Sequence, residues 1–128
     1  MSEPDLTGRR ILVVEDEYVI ADAFRAELEL RGAVVVGPAP DIRQGMAMMQ
    51  AEPMLDAALL DINLQGEMAF DLADALIERG VPLLIASGYD ARVIPDRFSE
   101  VCRYEKPVAV SELVQTLGTL IGRDPAKL

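Results

Sequence analysis

Asp61 ends the apolar run Ala58-Leu59-Leu60 and is followed by Ile62-Asn63-Leu64-Gln65-Gly66. An apolar run cut off by an acid and bounded by a glycine reads as a buried strand with a carboxylate at its carboxyl end. Other polar groups occupy comparable places: Glu15 and Asp16 directly after Ile11-Leu12-Val13-Val14, Ser87 after Val81 to Ala86, and Lys106 just past Val101 to Tyr104. With these strands side by side and parallel, three carboxylates crowd together. Two unit charges roughly 4 Å apart repel by about 4 kcal/mol at an effective dielectric of about 20, so the cluster calls for cations. Lys106 supplies one. A second, held by few carboxylates with room for water and a phosphoryl oxygen, suits Mg²⁺ better than zinc or a calcium cage. The bland alternative makes Glu15, Asp16 and Glu17 an acidic cap on the next helix, favoured by its macrodipole by roughly 0.3 to 1 kcal/mol. On that reading Asp61 merely starts a loop.

The elements that must position these groups alternate along the chain. Tyr18 to Arg31 carries Ile20, Ala23, Phe24 and Leu28 at helical spacing and stops at Gly32. Val34-Val35-Val36-Gly37 repeats the strand signal, Pro38 and Pro40 mark a loop, and Ile42, Met46 and Met49 form a weaker helical stripe loosened by Gly45. The methionines Met46, Met48 and Met49 read as core filler. After the Asp61 strand, Glu67 to Arg79 places Ala69, Leu72, Ala73 and Leu76 on one helical face and an acidic stripe on another. The last helix carries Val110, Leu113, Val114, Leu117 and Ile121 and ends at Gly122. Strand and helix alternating five times with short connections predict an α/β fold, a doubly wound parallel sheet of five strands in the order 2-1-3-4-5 with helices on both faces. That order brings the named strand ends to one edge, where such folds bind ligands.

Between Ser87 and Glu100 the pattern cannot build a full helix. A helix begun near Asp90 would meet Pro95 in its interior at a cost of roughly 3 kcal/mol, so the expectation is one turn over Pro95-Asp96-Arg97-Phe98, with Phe98 docked on the core and Gly88 to Val93 as loop.

At 128 residues the chain fits a single domain, expected as a polar tail over 1–8, a folded unit over 9–122 and a C-terminal tail over 123–128. The net charge of -10 argues against binding nucleic acid phosphates or an anionic membrane surface and for a basic protein partner. No apolar run reaches the roughly 18 residues of a membrane span, and the amino terminus lacks a secretory signal, so the expected location is the cytoplasm. The single Cys102 reads as a buried structural thiol. No histidine is present, which removes His-based triads and His-ligated zinc and leaves carboxylates, hydroxyls and lysine for chemistry.

Taken together, Glu15-Asp16, Asp61, Ser87, Tyr104 and Lys106-Pro107 resemble the response-regulator receiver domain over residues 9 to 122. The run Ile85-Ala86-Ser87-Gly88-Tyr89 is similar to the Phe-Ala-Thr-Gly-Tyr-type signature of a subgroup of single-domain bacterial receivers. Glu15 and Ser87 depart from the aspartate and threonine commonest there, without removing a needed functional group. The resemblance implies a flavodoxin-like (βα)5 fold, here with its fourth helix reduced, and a phosphoacceptor at Asp61. It further implies Mg²⁺ held by Asp16, Asp61 and the main-chain carbonyl of Asn63, with Glu15 helping through water. Lys106 and the Ser87 hydroxyl would contact the other phosphoryl oxygens, Tyr104 would follow Ser87 inward as a switch, and Pro107 would fix the loop through a cis peptide bond.

The expected function is a stand-alone response regulator that takes phosphate from a histidine kinase or a His-containing phosphotransfer protein. It would signal by binding an unknown downstream protein, as a monomer or weak dimer and without turnover catalysis. The main alternative is a small aspartyl-phosphate phosphatase. Such enzymes often carry a second acid two residues after the nucleophile, where Asn63 stands and cannot exchange a proton. A flavodoxin-like nucleotide binder fits least, because the loop Glu15-Asp16-Glu17 repels phosphate unless a metal intervenes.

Overall fold

The computed structural model describes residues 5–64, 66–88, 94–106 and 109–122. Its strands are β1 (Arg10–Val14), β2 (Val34–Ala39), β3 (Ala57–Asp61), β4 (Leu83–Ser87) and β5 (Cys102–Glu105). Its helices are α1 (Tyr18–Leu30), α2 (Ile42–Ala51), α3 (Phe70–Glu78) and α4 (Val110–Gly122). The five strands form one parallel sheet in the order β2-β1-β3-β4-β5, as the alternation predicts.

Side-chain alternation along the strands divides the core in two. Leu12, Val14, Leu60 and Ile85 meet Met49 of α2, Leu72 and Leu76 of α3, and Phe98. Ile11, Val13, Leu59 and Leu84 meet Phe24 and Leu28 of α1 and Leu113, Val114 and Leu117 of α4. Strands β1, β3 and β4 are buried on both faces, which is why they read as continuous apolar runs. The second core also takes in Leu6, whose amide donates to the Arg31 carbonyl (3.0 Å). Residues 5–8, read as part of a polar tail, therefore pack against the end of α1. Cys102 is half-buried rather than buried, at the margin of the same core.

The structure redraws three segments. β2 continues through Gly37 and Pro38 to Ala39, with a cis Gly37–Pro38 peptide and a register shift opposite Leu12 and Val14. An edge strand tolerates proline because its outer N–H has no ladder partner to lose. Next, Glu67 and Met68 lie outside α3 and pair antiparallel with Leu64 and Asn63, in a small hairpin that turns at Gly66 (φ +86°). The helical periodicity is genuine only from Phe70, because the hairpin claims the two residues before Ala69 for backbone pairing. Finally, Asp96–Phe98 form a single 3-10 turn with Phe98 fully buried, 5.9 Å from the Phe70 ring. Arg97 lies over the Phe98 ring (4.6 Å) and holds Asp74 of α3 through two hydrogen bonds (3.0 and 3.1 Å), pinning the turn to that helix. Of the expected Gly88 to Val93 loop, residues 89–93 lie outside the described residues, as do 1–4 and the 123–128 tail.

Gly45, which weakens α2 by propensity, has a packing reason to be there. A Cβ at this position would stand 3.0 Å from Leu72 Cδ2 and 3.2 Å from Val14 Cγ2, both buried side chains that would have to shift. Gly45→Ala is therefore expected to destabilise by about 1 to 3 kcal/mol through overpacking, outweighing the usual helix gain of about 1 kcal/mol. Equilibrium denaturant unfolding of the two proteins measures this, and the lower midpoint belongs to the alanine variant.

Candidate functional site

Each candidate group sits at the carboxyl end of its strand because the strand's apolar run stops there. Asp61 and Ser87 are the last residues of β3 and β4, Glu15 follows β1, and Lys106 follows β5. Glu15, Asp61 and Ser87 are all buried, at 2%, 5% and 3% exposure. Backbone bonds tie these ends to their neighbours: the Glu15 amide donates to the Ala39 carbonyl (2.9 Å) and the Lys106 amide to the Ser87 carbonyl (2.7 Å).

Lys106 Nζ lies 3.0 Å from Asp61 Oδ2 and 2.9 and 3.1 Å from the two carboxylate oxygens of Glu15. The remaining lone pairs meet main-chain donors, with the Glu17 amide on Glu15 Oε2 (3.1 Å) and the Asn63 amide on Asp61 Oδ1 (3.1 Å). Asp16 is half-buried, and one of its oxygens lies within 4.8 Å of oxygens of Glu15 and Asp61. Asp16, Asp61, Asn63, Gly66, Gly88 and Lys106 line a cavity of about 220 Å³. The sequence reading named neither glycine as a site residue, although Gly66 stood in the turn-prone segment after Asp61 and Gly88 in the run after Ser87.

Burial sets the electrostatics. Desolvation pushes Glu15 up from 4.5 to about 7, against the downward pull of its Lys106 bonds, and Asp61 is raised for the same reason. Lys106 feels burial as a downward pressure, but its bonds to Glu15 and Asp61 outweigh it and hold the ammonium above its usual value. With all three acids ionised, one ammonium leaves a formal charge of -2, since 1 − 3 = −2. An all-oxygen donor set with that residual charge fits a hard divalent cation. A further oxygen, Asn63 Oδ1, is buried without a hydrogen-bond partner among the described residues. The residues present therefore fit Mg²⁺.

Tyr104 stands apart from this cluster. Strand residues alternate between faces, and Leu83 and Ile85 belong to the α2/α3 core, so Ser87 is on that face. Tyr104 is in register with Ala86 and packs in the α1/α4 core, with its hydroxyl 2.8 Å from Thr116 Oγ1 of α4. The β5 residues on Ser87's face are Arg103 and Glu105, both exposed. A direct inward movement of Tyr104 toward Ser87 is thus not what this geometry supports, and parity along the strand is the reason. Pro107 and its peptide bond lie outside the described residues.

The family model described as response regulator receiver domain matches residues 11–117. Among solved structures, SdrG from Sphingomonas melonis Fr1 is 32% identical with a TM-score of 0.75, the alignment covering 94% of this chain and 99% of that one. A CheY-like response regulator receiver domain protein from Methanospirillum hungatei JF-1 (21%, TM-score 0.79) aligns over 95% of this chain and 100% of its own. PhyR from Brucella abortus (22%, TM-score 0.79) aligns over 95% of this chain and 51% of its own. The last two show the fold alone. No curated protein matches.

Between about pH 4.5 and 7 the folded protein holds a proton on Glu15 that the unfolded chain has released, so stability falls as pH rises through this window. The raised Asp61 acts in the same direction. In the presence of a chelator, urea midpoints are expected to drop from about pH 4.5 to about 7 and then level off. Glu15→Gln should flatten most of that slope, as a set of unfolding curves at fixed pH values will show.

Proposed function

Because the chain belongs to the response regulator receiver domain family, we propose that it is a signalling switch that accepts a phosphoryl group on Asp61. The observation that carries this reading is the buried Asp61 carboxylate held 3.0 Å from Lys106 in a cluster of three acids. A carboxylate attacking a phosphoryl group is an anion meeting an anion, so the site must neutralise the equatorial oxygens as transfer proceeds. An Asp61 oxygen bonds to phosphorus as the phosphorus–nitrogen bond of a phosphohistidine breaks. The donor imidazole, protonated on its other ring nitrogen, departs as a neutral ring with the electron pair of that bond.

Lys106 passes from the Asp61 and Glu15 carboxylates to a phosphoryl oxygen, and the Ser87 hydroxyl takes another. Asp16, Asp61 and the main-chain carbonyl of Asn63 would hold Mg²⁺, with Glu15 assisting through water, and the ion when bound supplies charge neutralisation at the phosphoryl oxygens. Asn63, two residues beyond the nucleophile, has no titratable group to serve as general acid or base, which favours a switch over a phosphatase.

The phosphodonor is a histidine kinase or a His-containing phosphotransfer protein in the cytoplasm, and the output is protein–protein interaction. Ser87 lies on the sheet face whose core includes Phe98 of the 3-10 turn, so its movement would reach that side and the exposed β5 residues Arg103 and Glu105.

Incubation with Mg²⁺ and acetyl phosphate, followed by intact mass measurement, is expected to show one added phosphoryl group, absent in Asp61→Asn and in the chelated protein. Lys106→Ala should accept it roughly a hundredfold more slowly, the scale of removing one preorganised donor from a phosphoryl site. Undiminished labelling of Asp61→Asn overturns the assignment.

A further inference from the structure

β5 delivers Lys106, yet it is the least buried strand of the sheet. Whereas β1, β3 and β4 are buried along their lengths, β5 alternates between half-buried and exposed, and it pairs on one side only, with β4. Just two of its side chains, Cys102 and Tyr104, reach the core between the sheet and α1/α4. The stem of Lys106 is also poorly braced. A cavity of about 520 Å³, lined chiefly by Ile20, Ala23, Phe24, Ala86 and Val110, opens beside the lysine. Packing alone therefore does not fix where the ammonium goes, and its bonds to Glu15 and Asp61 work together with the anchoring of the strand that carries it.

That anchoring is a short chain of contacts. Thr116 Oγ1 has both the Glu112 carbonyl (3.0 Å) and the Tyr104 hydroxyl (2.8 Å) within hydrogen-bond distance, and either hydroxyl can be the donor between Tyr104 and Thr116. The chain Tyr104 to Thr116 to the Glu112 carbonyl runs from β5 into the first turns of α4. Tyr104 lies two residues before Lys106, which directly follows β5, so a shift of the tyrosine's strand end carries the start of the lysine stem with it.

We propose that Thr116, through Tyr104, is a positioning residue for Lys106: the Tyr104–Thr116 hydrogen bond locks the end of β5 to α4 and thereby holds the ammonium against Asp61. Tyr104 on this account sets the site before any phosphoryl group arrives, which replaces the role of following Ser87. The proposal deepens the phosphoacceptor reading and rests on it only for its kinetic arm.

The test compares the full-length protein with Thr116→Val, Thr116→Ser, Tyr104→Phe and the Tyr104→Phe/Thr116→Val pair. The Lys106 ammonium is followed by ¹⁵N side-chain NMR, its signal assigned by its change in Asp61→Asn, and phosphoryl uptake from acetyl phosphate is followed by intact mass. Thr116→Val and Tyr104→Phe are each expected to move the Lys106 signal toward that of solvent-exposed lysines and to slow uptake about fivefold, the scale of one ordinary hydrogen bond. The pair should be no worse than either single change, and Thr116→Ser should restore both readouts. A Lys106 signal unmoved by Thr116→Val, or a serine variant as impaired as the valine one, overturns the positioning role. Absence of uptake by the unsubstituted protein would instead overturn the phosphoacceptor reading, while the NMR comparison still decides the role of Thr116.

Discussion

Everything at the carboxyl edge of the sheet depends on one ammonium facing two buried carboxylates. Glu15 and Asp61 are both almost fully enclosed, and each lies within about 3 Å of Lys106 Nζ. Without that cation the adjacency of β1 and β3 would place two like charges together where water cannot screen them, and one would have to protonate. With it the pair remains tolerable, although burial still pushes both carboxyl groups upward. A half-buried third acid, Asp16, completes a set that still carries excess negative charge. The resting arrangement thus holds its lysine in the position from which an incoming anion can take it.

Topology makes this juxtaposition possible. Lys106 and Glu15 are 91 residues apart, on strands separated in the sheet by β3 and β4. The long side chains of Lys106 and Glu15 together bridge that separation. The register of β4 against β5 and the bond from the Lys106 amide to the Ser87 carbonyl set where the stem starts.

Strand parity then distributes the roles. Ser87 looks toward α2, α3 and the 3-10 turn, while Tyr104 and Lys106 belong to the side of α1 and α4. The two sides differ in character. One is closed by Phe98, Phe70 and the Arg97–Asp74 clamp, and the other leaves an apolar cavity beside the lysine. A disturbance at the phosphoacceptor therefore reaches different surfaces depending on which strand end senses it.

Much of this was legible in the linear chain, for identifiable reasons. Interior parallel strands are apolar throughout, so β1, β3 and β4 announce themselves as runs, and the acids, hydroxyl and lysine that end them stand out by contrast. Pro95 foretold the single turn ending in Phe98 because proline fits only the start of a helix. What stayed hidden depends on contacts between residues far apart or on the face a side chain takes. The Asn63–Met68 hairpin was masked because its residues also fit a helical period, and backbone pairing overrode that pattern. Gly45 reads as a flaw in α2 until Leu72 and Val14 are seen against it. The resemblance gave Tyr104 a switch role beside Ser87, whereas the structure sets it on the opposite face of the sheet. Only the strand register and the packing of α4, which sets Thr116 beneath the tyrosine hydroxyl, decide that face, because a period of two turns a one-residue difference in alignment into opposite sides of the sheet.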